Sequence, residues 1–187
     1  MKNKNELGIY IHIPFCVHKC IYCDFLSSPA DEKTRKRYVK ALIREINLAA
    51  EGKTNSCINK CNNESNNTII DKSNNKEIKK NNNKNNNKSN NKSSNHSKDV
   101  VTSIFIGGGT PSVIDASDIK DIIEAVRYNY NVSDEAEITI ECNPGTMDEK
   151  KAAIYRQAGI NRISFGLQST NNNELRMLGR IHTYEQF

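Results

Sequence analysis

The sequence predicts an α/β fold in which parallel strands begin an incomplete β/α barrel. A strand pattern followed by a helix pattern recurs four times along the 187 residues, and such repeats require parallel strands joined by right-handed crossovers. A β/α barrel and a doubly wound sheet share this order of elements. In three of the four predicted strands, however, one face is polar, whereas a parallel strand covered on both sides should be apolar on both faces. The polar faces favour a barrel with helices outside and a polar ligand inside.

The first strand and helix are predicted within residues 1–51, the start of the folded core. Residues 7–13 alternate, with isoleucines on one face and Tyr10 and His12 on the other, and a period of two predicts a strand. A helix is expected from about residue 31 to residue 51, because an apolar stripe recurs there at helical spacing. The stripe consists of Tyr38, Leu42, Ile46 and Ala49.

Residues 52–99 form a low-complexity tract rich in Asn, Lys and Ser. A tract with so few apolar side chains cannot bury enough surface to fold, so the sequence predicts a disordered insertion. The tract holds ten Lys and four acidic residues, a charge of +6 against +5 for the whole chain. The rest of the chain is therefore near neutral, and the basic pI does not indicate a nucleic-acid partner. Cys57 and Cys61 lie in this tract as an isolated C-x3-C pair, which we interpret as incidental.

The core is expected to resume in residues 100–187 with three more strands, each followed by a helix. The predicted strands are Val100–Ile106, Glu137–Cys142 and Arg162–Gln168, and the two helices with defined bounds are residues 117–128 and 172–178. Between them, Thr146 and Glu149 fit a capping box at the start of a third helix, and Gly159 is expected to end it.

Two further expectations concern the length of the whole protein and its location in the cell. Four strands cannot close a barrel without leaving an open edge, so we expect the sequence to be the N-terminal part of a longer protein. It contains no stretch of about 18 apolar residues that would predict a membrane span. The first strand begins too early to leave room for the apolar region of a signal peptide. A cytoplasmic location, in which cysteines stay reduced, is therefore expected.

Three cysteines follow the first strand directly, and they are the strongest chemical signal in the sequence. Cys16, Cys20 and Cys23 have C-x3-C-x2-C spacing on one loop. Three thiolates on one centre would leave one iron of a four-iron cluster without a cysteine ligand, so that it can bind another molecule. Two alternatives remain open: a zinc site, for which His12 or His18 would be the fourth ligand, and structural cysteines without metal. A disulfide is disfavoured in a reducing compartment.

A second signal is the glycine-rich turn that follows the second strand. Residues 107–110 read Gly-Gly-Gly-Thr, and glycines allow a ligand to approach the backbone and meet N–H groups that point at it. The alternative is a turn that merely starts a helix. In barrel enzymes the active face is formed by the loops after the strands, and both the cysteine loop and the glycine turn occupy such positions.

Five blocks of the sequence together resemble the radical S-adenosylmethionine (radical SAM) superfamily, and within it the coproporphyrinogen oxidase-like family. They are residues 10–25, 107–112, 141–146, 164–169 and 178–183. The resemblance implies an incomplete barrel of the radical SAM type. It also implies a [4Fe-4S] cluster on Cys16, Cys20 and Cys23, whose open iron binds the amino and carboxylate groups of S-adenosylmethionine. The cofactor contacts that it implies are Tyr10, Tyr22, Gly108, Gly109, Thr110, Glu141, Gln168 and Arg180.

Each of these contacts also has a simpler interpretation. Tyr22 would close the cysteine loop against the core, and Glu141 and Gln168 would each be ordinary polar residues at the end of a strand. Arg180 would be an ordinary exposed arginine. His12 is interpreted as a packed strand histidine.

The resemblance leaves two functions open. Its heme chaperone branch implies a protein that binds heme and transfers it to acceptor proteins. The alternative is an oxygen-independent coproporphyrinogen III oxidase, which would also need an electron donor. In the oxidases the third cysteine is followed by Gly-Cys, whereas here Cys23 is followed by Asp24 and Phe25, which favours the chaperone. The residues alone also allow a zinc-stabilised β/α domain without redox chemistry.

Overall fold

A computed structural model describes residues 5–52 and 99–187 of the chain. Its main sheet has four parallel strands, which lie side by side in chain order. These are β1 (Glu6–Ile13), β4 (Val100–Gly108), β5 (Val132–Cys142) and β6 (Arg162–Phe165). A short parallel pair, β2 (Phe15–Cys16) and β3 (Ser28–Pro29), lies beside it. The helices are α1 (Glu32–Ala50), α2 (Ala116–Asn129), α3 (Glu149–Gln157) and α4 (Asn172–Met177). The predicted α/β fold with parallel strands is confirmed.

Isoleucines run across the sheet in register and form the centre of the core. Ile11, Ile106 and Ile140 stand side by side on β1, β4 and β5, and Ile163 continues the row on β6. The first three are at most 3% exposed, whereas Ile163 on the edge strand is 37% exposed. Because neighbouring side chains on a strand point to opposite faces, the residues beside this row, such as Tyr10 and Glu141, lie on the other face.

The helices cover the isoleucine face. The stripe predicted for α1 was partly wrong, because Ala49 is exposed and Val39, which lay outside the stripe, is buried. Helix α2 buries Ile119, Ile122 and Ile123 completely. Helix α1 begins at an N-cap, Asp31, whose carboxylate accepts a hydrogen bond from the Thr34 amide, and it buries Val39 and Ile46. The predicted bounds of both helices agree with the structure to within one or two residues.

Helices α1 and α2 run side by side in the same direction. Near their starts, the Lys36 ammonium lies 2.6 Å from the Asp115 carboxylate and 2.9 Å from that of Asp118. Near their ends, the Asn129 amide donates to the side chain of Asn47. Because α2 leads directly into β5, the last turn of each helix lies at the end of the sheet where the strands begin.

Three local predictions were wrong. Strand β5 begins at Val132 rather than at residue 137, because Val132 already pairs with Val101. An irregular, polar stretch separates this pair from the regular pairing that starts at Glu137. Strand β6 ends at Phe165 rather than at residue 168, where Gln168 turns the backbone to a φ of 73°. No capping box links Thr146 to Glu149, and the N-cap of α3 is instead Asp148, whose carboxylate accepts from the amide of Lys151. Gly159 follows the end of α3 with a φ of 93°, as expected.

Most of the predicted insertion, with Cys57 and Cys61, lies outside the described residues. The described chain stops after α1 at Gly52 and resumes at Asp99, next to the start of β4. Within the described residues, no helix combines the length and apolar character that spanning a membrane requires.

Candidate functional site

A cavity of about 340 Å³ opens at the end of the sheet where the strands finish. Its wall is built by the last residues of β4, β5 and β6 and by the segments that follow the strands of the main sheet. The lining residues are Cys16, His18, Cys20, Tyr22, Cys23, Phe25, Gly108, Gly109, Thr110, Glu141, Cys142, Asn143, Ser164, Phe165, Gly166, Gln168 and Arg180. All three predicted cluster cysteines are among them, together with seven of the eight predicted cofactor contacts. Residues that the sequence named from separate stretches of the chain therefore line one cavity, while their roles as cluster ligands and cofactor contacts stay predictions.

The cysteine loop is held closed by backbone hydrogen bonds. The Ser28 amide donates to the Pro14 carbonyl across 3.0 Å, and the Cys23 amide donates to the Cys20 carbonyl across 3.0 Å. The cysteine thiols of the described residues are all free, with Cys16 buried and Cys20 and Cys23 half-buried. In residues 5–52 and 99–187, no three His, Cys, Asp or Glu side chains are placed to hold a single metal ion. All three thiols of the loop line the cavity.

The glycine turn is fastened to the backbone that leads into the first cysteine. The Gly109 amide donates to the Ile13 carbonyl at 2.8 Å, and the Thr110 amide donates to the Phe15 carbonyl at 2.7 Å. The Thr110 hydroxyl also donates to the Cys16 sulfur at 3.7 Å. A Cβ atom on Gly109 would lie 2.5 Å from the Phe15 carbonyl oxygen and 2.9 Å from the Cys16 sulfur. Glycine is therefore required here because the turn and the cysteine segment are in direct contact.

This arrangement corrects one expectation about the turn. N–H groups free to meet a ligand were predicted, but the amides of Gly109 and Thr110 bond the neighbouring backbone, and the Gly108 amide donates to the Glu141 carboxylate at 3.2 Å. A backbone carbonyl is a fixed partner, whereas a carboxylate on a side chain can turn away. Of these three amides, that of Gly108 is the one whose partner a ligand can displace.

Glu141 and Arg180 place opposite charges on the cavity wall. The Glu141 carboxylate extends from the end of β5 on the polar face of the sheet. The Arg180 guanidinium donates to the Gly166 carbonyl, the Tyr22 hydroxyl and the Cys20 sulfur. Its Nε is buried without a hydrogen-bond partner. Burial raises the pKa of the Tyr22 phenol, and the charge of Arg180 acts against this shift.

Gln168 is the one residue other than glycine with a positive φ in the described chain, at 73°. Such a conformation costs a residue with a Cβ about 1–2 kcal/mol, and it is found disproportionately at functional sites. Gln168 lines the cavity, so this strain lies at the predicted cofactor site.

Tyr10 is the predicted contact that the structure does not bring to the cavity wall. Its hydroxyl bonds the Nδ1 of His12 at 3.1 Å, and its ring stacks on Phe105 with centroids 6.1 Å apart. The side chain is 60% exposed. Its role as a cofactor contact stays a prediction. The Nε2 of His12 faces the Leu26 carbonyl at 3.2 Å, so this histidine ties the cysteine loop to β1.

Sequence reasoning missed several residues of the wall. Asn143 and Ser164 lie at strand ends, so the rule that selected the glycine turn would also have selected them. Cys142 lies in the 141–146 block that carries the resemblance, but the resemblance gave it no role at the site. Burial raises the pKa of the Cys142 thiol to about 12, which makes it far less reactive than an ordinary cysteine.

Relatives of the chain are found by sequence and by structure. It is 33% identical over 180 residues to a protein of Escherichia coli named heme chaperone HemW, covering 94% of this chain and 35% of the relative. It is 31% identical to the Bacillus subtilis protein of that name, covering 92% and 35%. The structure of coproporphyrinogen III oxidase (HemN) from Escherichia coli superposes with a TM-score of 0.70 at 22% identity, covering 98% of this chain and 32% of that one.

The relatives are much longer than this chain, which spans about a third of their length. The likeness to the oxidase shows a shared fold, in agreement with the predicted incomplete barrel. Residues 92–187 match the family model of the Radical SAM superfamily. Because that match covers more than half of the 187 residues, and the cavity brings together the residues that the motifs predicted, the chain belongs to the radical SAM superfamily.

Proposed function

We propose that this chain forms the cofactor-binding region of a radical SAM-type iron–sulfur protein of heme metabolism. In this proposal Cys16, Cys20 and Cys23 hold a [4Fe-4S] cluster, and S-adenosylmethionine binds beside it in the cavity. The observation that carries the proposal is the convergence of three thiols, a carboxylate and a guanidinium on one cavity wall at the ends of four parallel strands.

The residues present suit such a cluster. Thiolates are the usual protein ligands of iron–sulfur clusters, and three free ones line the cavity. Hydrogen bonds to the sulfurs tune a cluster, and here the Thr110 hydroxyl reaches the Cys16 sulfur while Arg180 reaches the Cys20 sulfur. A cluster with one iron free of cysteine supplies a binding point for the second cofactor and an electron for its cleavage.

The charged residues of the wall suit an amino acid group. The methionyl part of S-adenosylmethionine carries an amino group and a carboxylate, and the wall offers the Glu141 carboxylate and the Arg180 guanidinium. The unpartnered Nε of Arg180 is a buried donor that a ligand can satisfy. When Glu141 turns to the amino group, it releases the Gly108 amide, which then becomes available to the ligand. These residues bind and orient the cofactor and exclude water from it.

Beyond cofactor binding, we propose that the protein is a heme chaperone that hands heme to acceptor proteins. This is supported by relatives of that name at 33% and 31% identity, whereas the likeness to coproporphyrinogen III oxidase, at 22% identity, concerns the fold alone. Asp24 and Phe25 after the third cysteine also favour the chaperone. The cytoplasm is the compartment that we propose, because free thiols and an iron–sulfur cluster need reducing surroundings. We also propose that a separate electron donor supplies electrons to the cluster.

The cluster is tested first, by iron and sulfide analysis of protein purified and reconstituted without oxygen. Replacing Cys16, Cys20 or Cys23 by Ala should reduce the iron content to background. The matched control is Cys142→Ala, since Cys142 lines the same cavity but lies outside the loop, and this variant should retain its iron. Zinc in place of iron in the unmodified protein would refute the proposal, as would equal iron in the loop variants and the control.

The chaperone is tested with the same protein, by titrating heme and following its transfer to an apo-hemoprotein by absorbance. Stoichiometric binding followed by transfer is expected. In a parallel anaerobic assay, the protein receives coproporphyrinogen III, S-adenosylmethionine and a reductant. Formation of protoporphyrinogen IX would exclude the chaperone in favour of the oxidase.

A further inference from the structure

A half-buried lysine beneath the cavity joins two of the turns that build its wall. Lys151, in the first turn of α3, donates from its Nζ to the carbonyl of Ser112 at 2.6 Å and to that of Thr146 at 3.0 Å. Ser112 belongs to the turn after β4, two residues beyond Thr110, and Thr146 belongs to the turn after β5. One ammonium thus bridges two segments that are far apart in the sequence.

The Lys151 ammonium is bonded to two backbone carbonyls and not to a carboxylate. Within the described ranges, no carboxylate lies within 4.0 Å of Lys151. Burial lowers the pKa of Lys151, and the charges of Asp148 and Asp115 oppose that shift. A charged donor forms stronger hydrogen bonds than a neutral one, so the two carbonyls are held firmly at a fixed separation.

A second bridge runs parallel to the first. The Ser112 hydroxyl is completely buried, lies within hydrogen-bond distance of the Thr146 hydroxyl and accepts the amide of Asn143 at 3.1 Å. Asn143 lines the cavity. Lys151 and the Ser112 hydroxyl therefore fix the position of Asn143, which follows β5, relative to the glycine turn, which follows β4.

We propose that Lys151 is a positioning residue, which sets the spacing between the glycine turn and Asn143 through the Ser112 and Thr146 carbonyls and so shapes the cavity for S-adenosylmethionine. This inference rests on the proposed function. Lys151 does not line the cavity, so its effect is transmitted through the two turns. Its loss should weaken ligand binding and loosen Asn143, while the cysteine loop, which Lys151 does not contact, keeps its iron.

The test compares Lys151→Met with Lys150→Met in the cluster-loaded protein. Lys150 is the exposed neighbour of Lys151, so this control removes the same charge without touching the bridge. Isothermal titration with S-adenosylmethionine should show at least a tenfold weaker affinity for K151M, unchanged iron in both variants and unchanged affinity for K150M. Lys151→Arg retains the charged donors and should recover most of the affinity.

A second measurement needs no cofactor. Hydrogen exchange of the Asn143 amide in the apoprotein should accelerate at least tenfold in K151M but not in K150M, while exchange in α2 is unchanged. If K151M does not fold, Lys151→Gln serves instead, compared with Lys150→Gln, and the Asn143 amide should accelerate in the same way.

Three results would overturn the inference. One is equal affinity for the ligand in K151M and K150M. Another is a parallel loss of iron and affinity in K151M, which would indicate general collapse of the site. The third is an Asn143 amide that exchanges at the same rate in every variant. If the unmodified protein binds no S-adenosylmethionine, the proposed function fails and this inference fails with it, whereas equal affinities in both lysine variants overturn the positioning role alone.

Discussion

Replacing Gly109 by Ala should damage the protein at the point where the glycine turn meets the cysteine segment. The new methyl group would lie 2.5 Å from the Phe15 carbonyl oxygen, about 0.9 Å short of the 3.4 Å at which ordinary contact begins. That oxygen accepts the Thr110 amide at 2.7 Å. If it retreats by the full distance, the hydrogen bond lengthens beyond about 3.5 Å and is lost.

Two contributions set the size of the effect. Overpacking in a close contact costs about 1–3 kcal/mol, and a lost hydrogen bond costs about 0.5–1.5 kcal/mol. Together they predict a decrease of about 2–4 kcal/mol in the free energy of unfolding. Because the Cys16 sulfur lies 2.9 Å from the same position, the first proposed cluster ligand is displaced as well, and the iron content should decrease.

Urea unfolding and iron analysis measure the two effects independently. Gly145→Ala is the control: its methyl group would meet Cγ1 and Cδ1 of Ile181 at 3.0 and 3.1 Å, and that side chain is 43% exposed and can rotate away. The control should change the free energy of unfolding by less than about 0.5 kcal/mol. A Gly109→Ala protein with the stability and iron content of the unmodified protein would refute the assignment of this contact.

Two further predictions concern Gln168 and His182. Gln168→Gly should relieve about 1–2 kcal/mol of backbone strain and lose about 0.5–1 kcal/mol through added flexibility of the unfolded chain. Urea unfolding should therefore show a small net stabilisation, while titration shows weaker binding of S-adenosylmethionine. A decrease in the free energy of unfolding together with the loss of binding would contradict this prediction. His182 is 3% exposed. Burial together with the charge of Arg180 lowers its pKa, against a smaller opposing effect of the Leu167 backbone. Its contribution to stability is therefore complete above about pH 6.5 and is lost as the pH falls below that value. His182→Phe should reduce the difference between the unfolding free energies at about pH 7.5 and about pH 5.5, on either side of that value, and an unaltered difference would show that His182 does not titrate in this range.

The patterns that repeat along the sequence predicted the fold well, because burial enforces them. The alternation of residues 7–13 and the stripe of α2 reflect contacts with a core built mainly of isoleucine. The errors arose where tertiary contacts outweigh local preference. Thr146 has the right spacing for a capping box, yet its hydroxyl bonds the Asn143 carbonyl and the Ser112 hydroxyl, so the cap passes to Asp148.

The site could be predicted in composition but not in its internal bonding. Motif spacing placed Cys16 and Thr110 on the same face, because segments that follow parallel strands meet at one end of the sheet. It did not indicate that the turn's amides are already bonded to the backbone next to the first cysteine, since that depends on the register of β1 against β4. Lys151 lies in a helix with no motif, and its two carbonyl partners become visible only when the turns are seen together.

The direction of α1 has a consequence for how this chain tolerates change. Its last turn lies beside the end of α2, where the strands begin, and the cavity opens at the opposite pole of the sheet. Both points at which the Asn- and Lys-rich tract joins the described chain, Gly52 and Asp99, adjoin that distal pole. The junction is therefore a natural place to graft a fluorescent reporter or an affinity handle. Whatever is attached there is separated from the cavity by the length of the strands themselves.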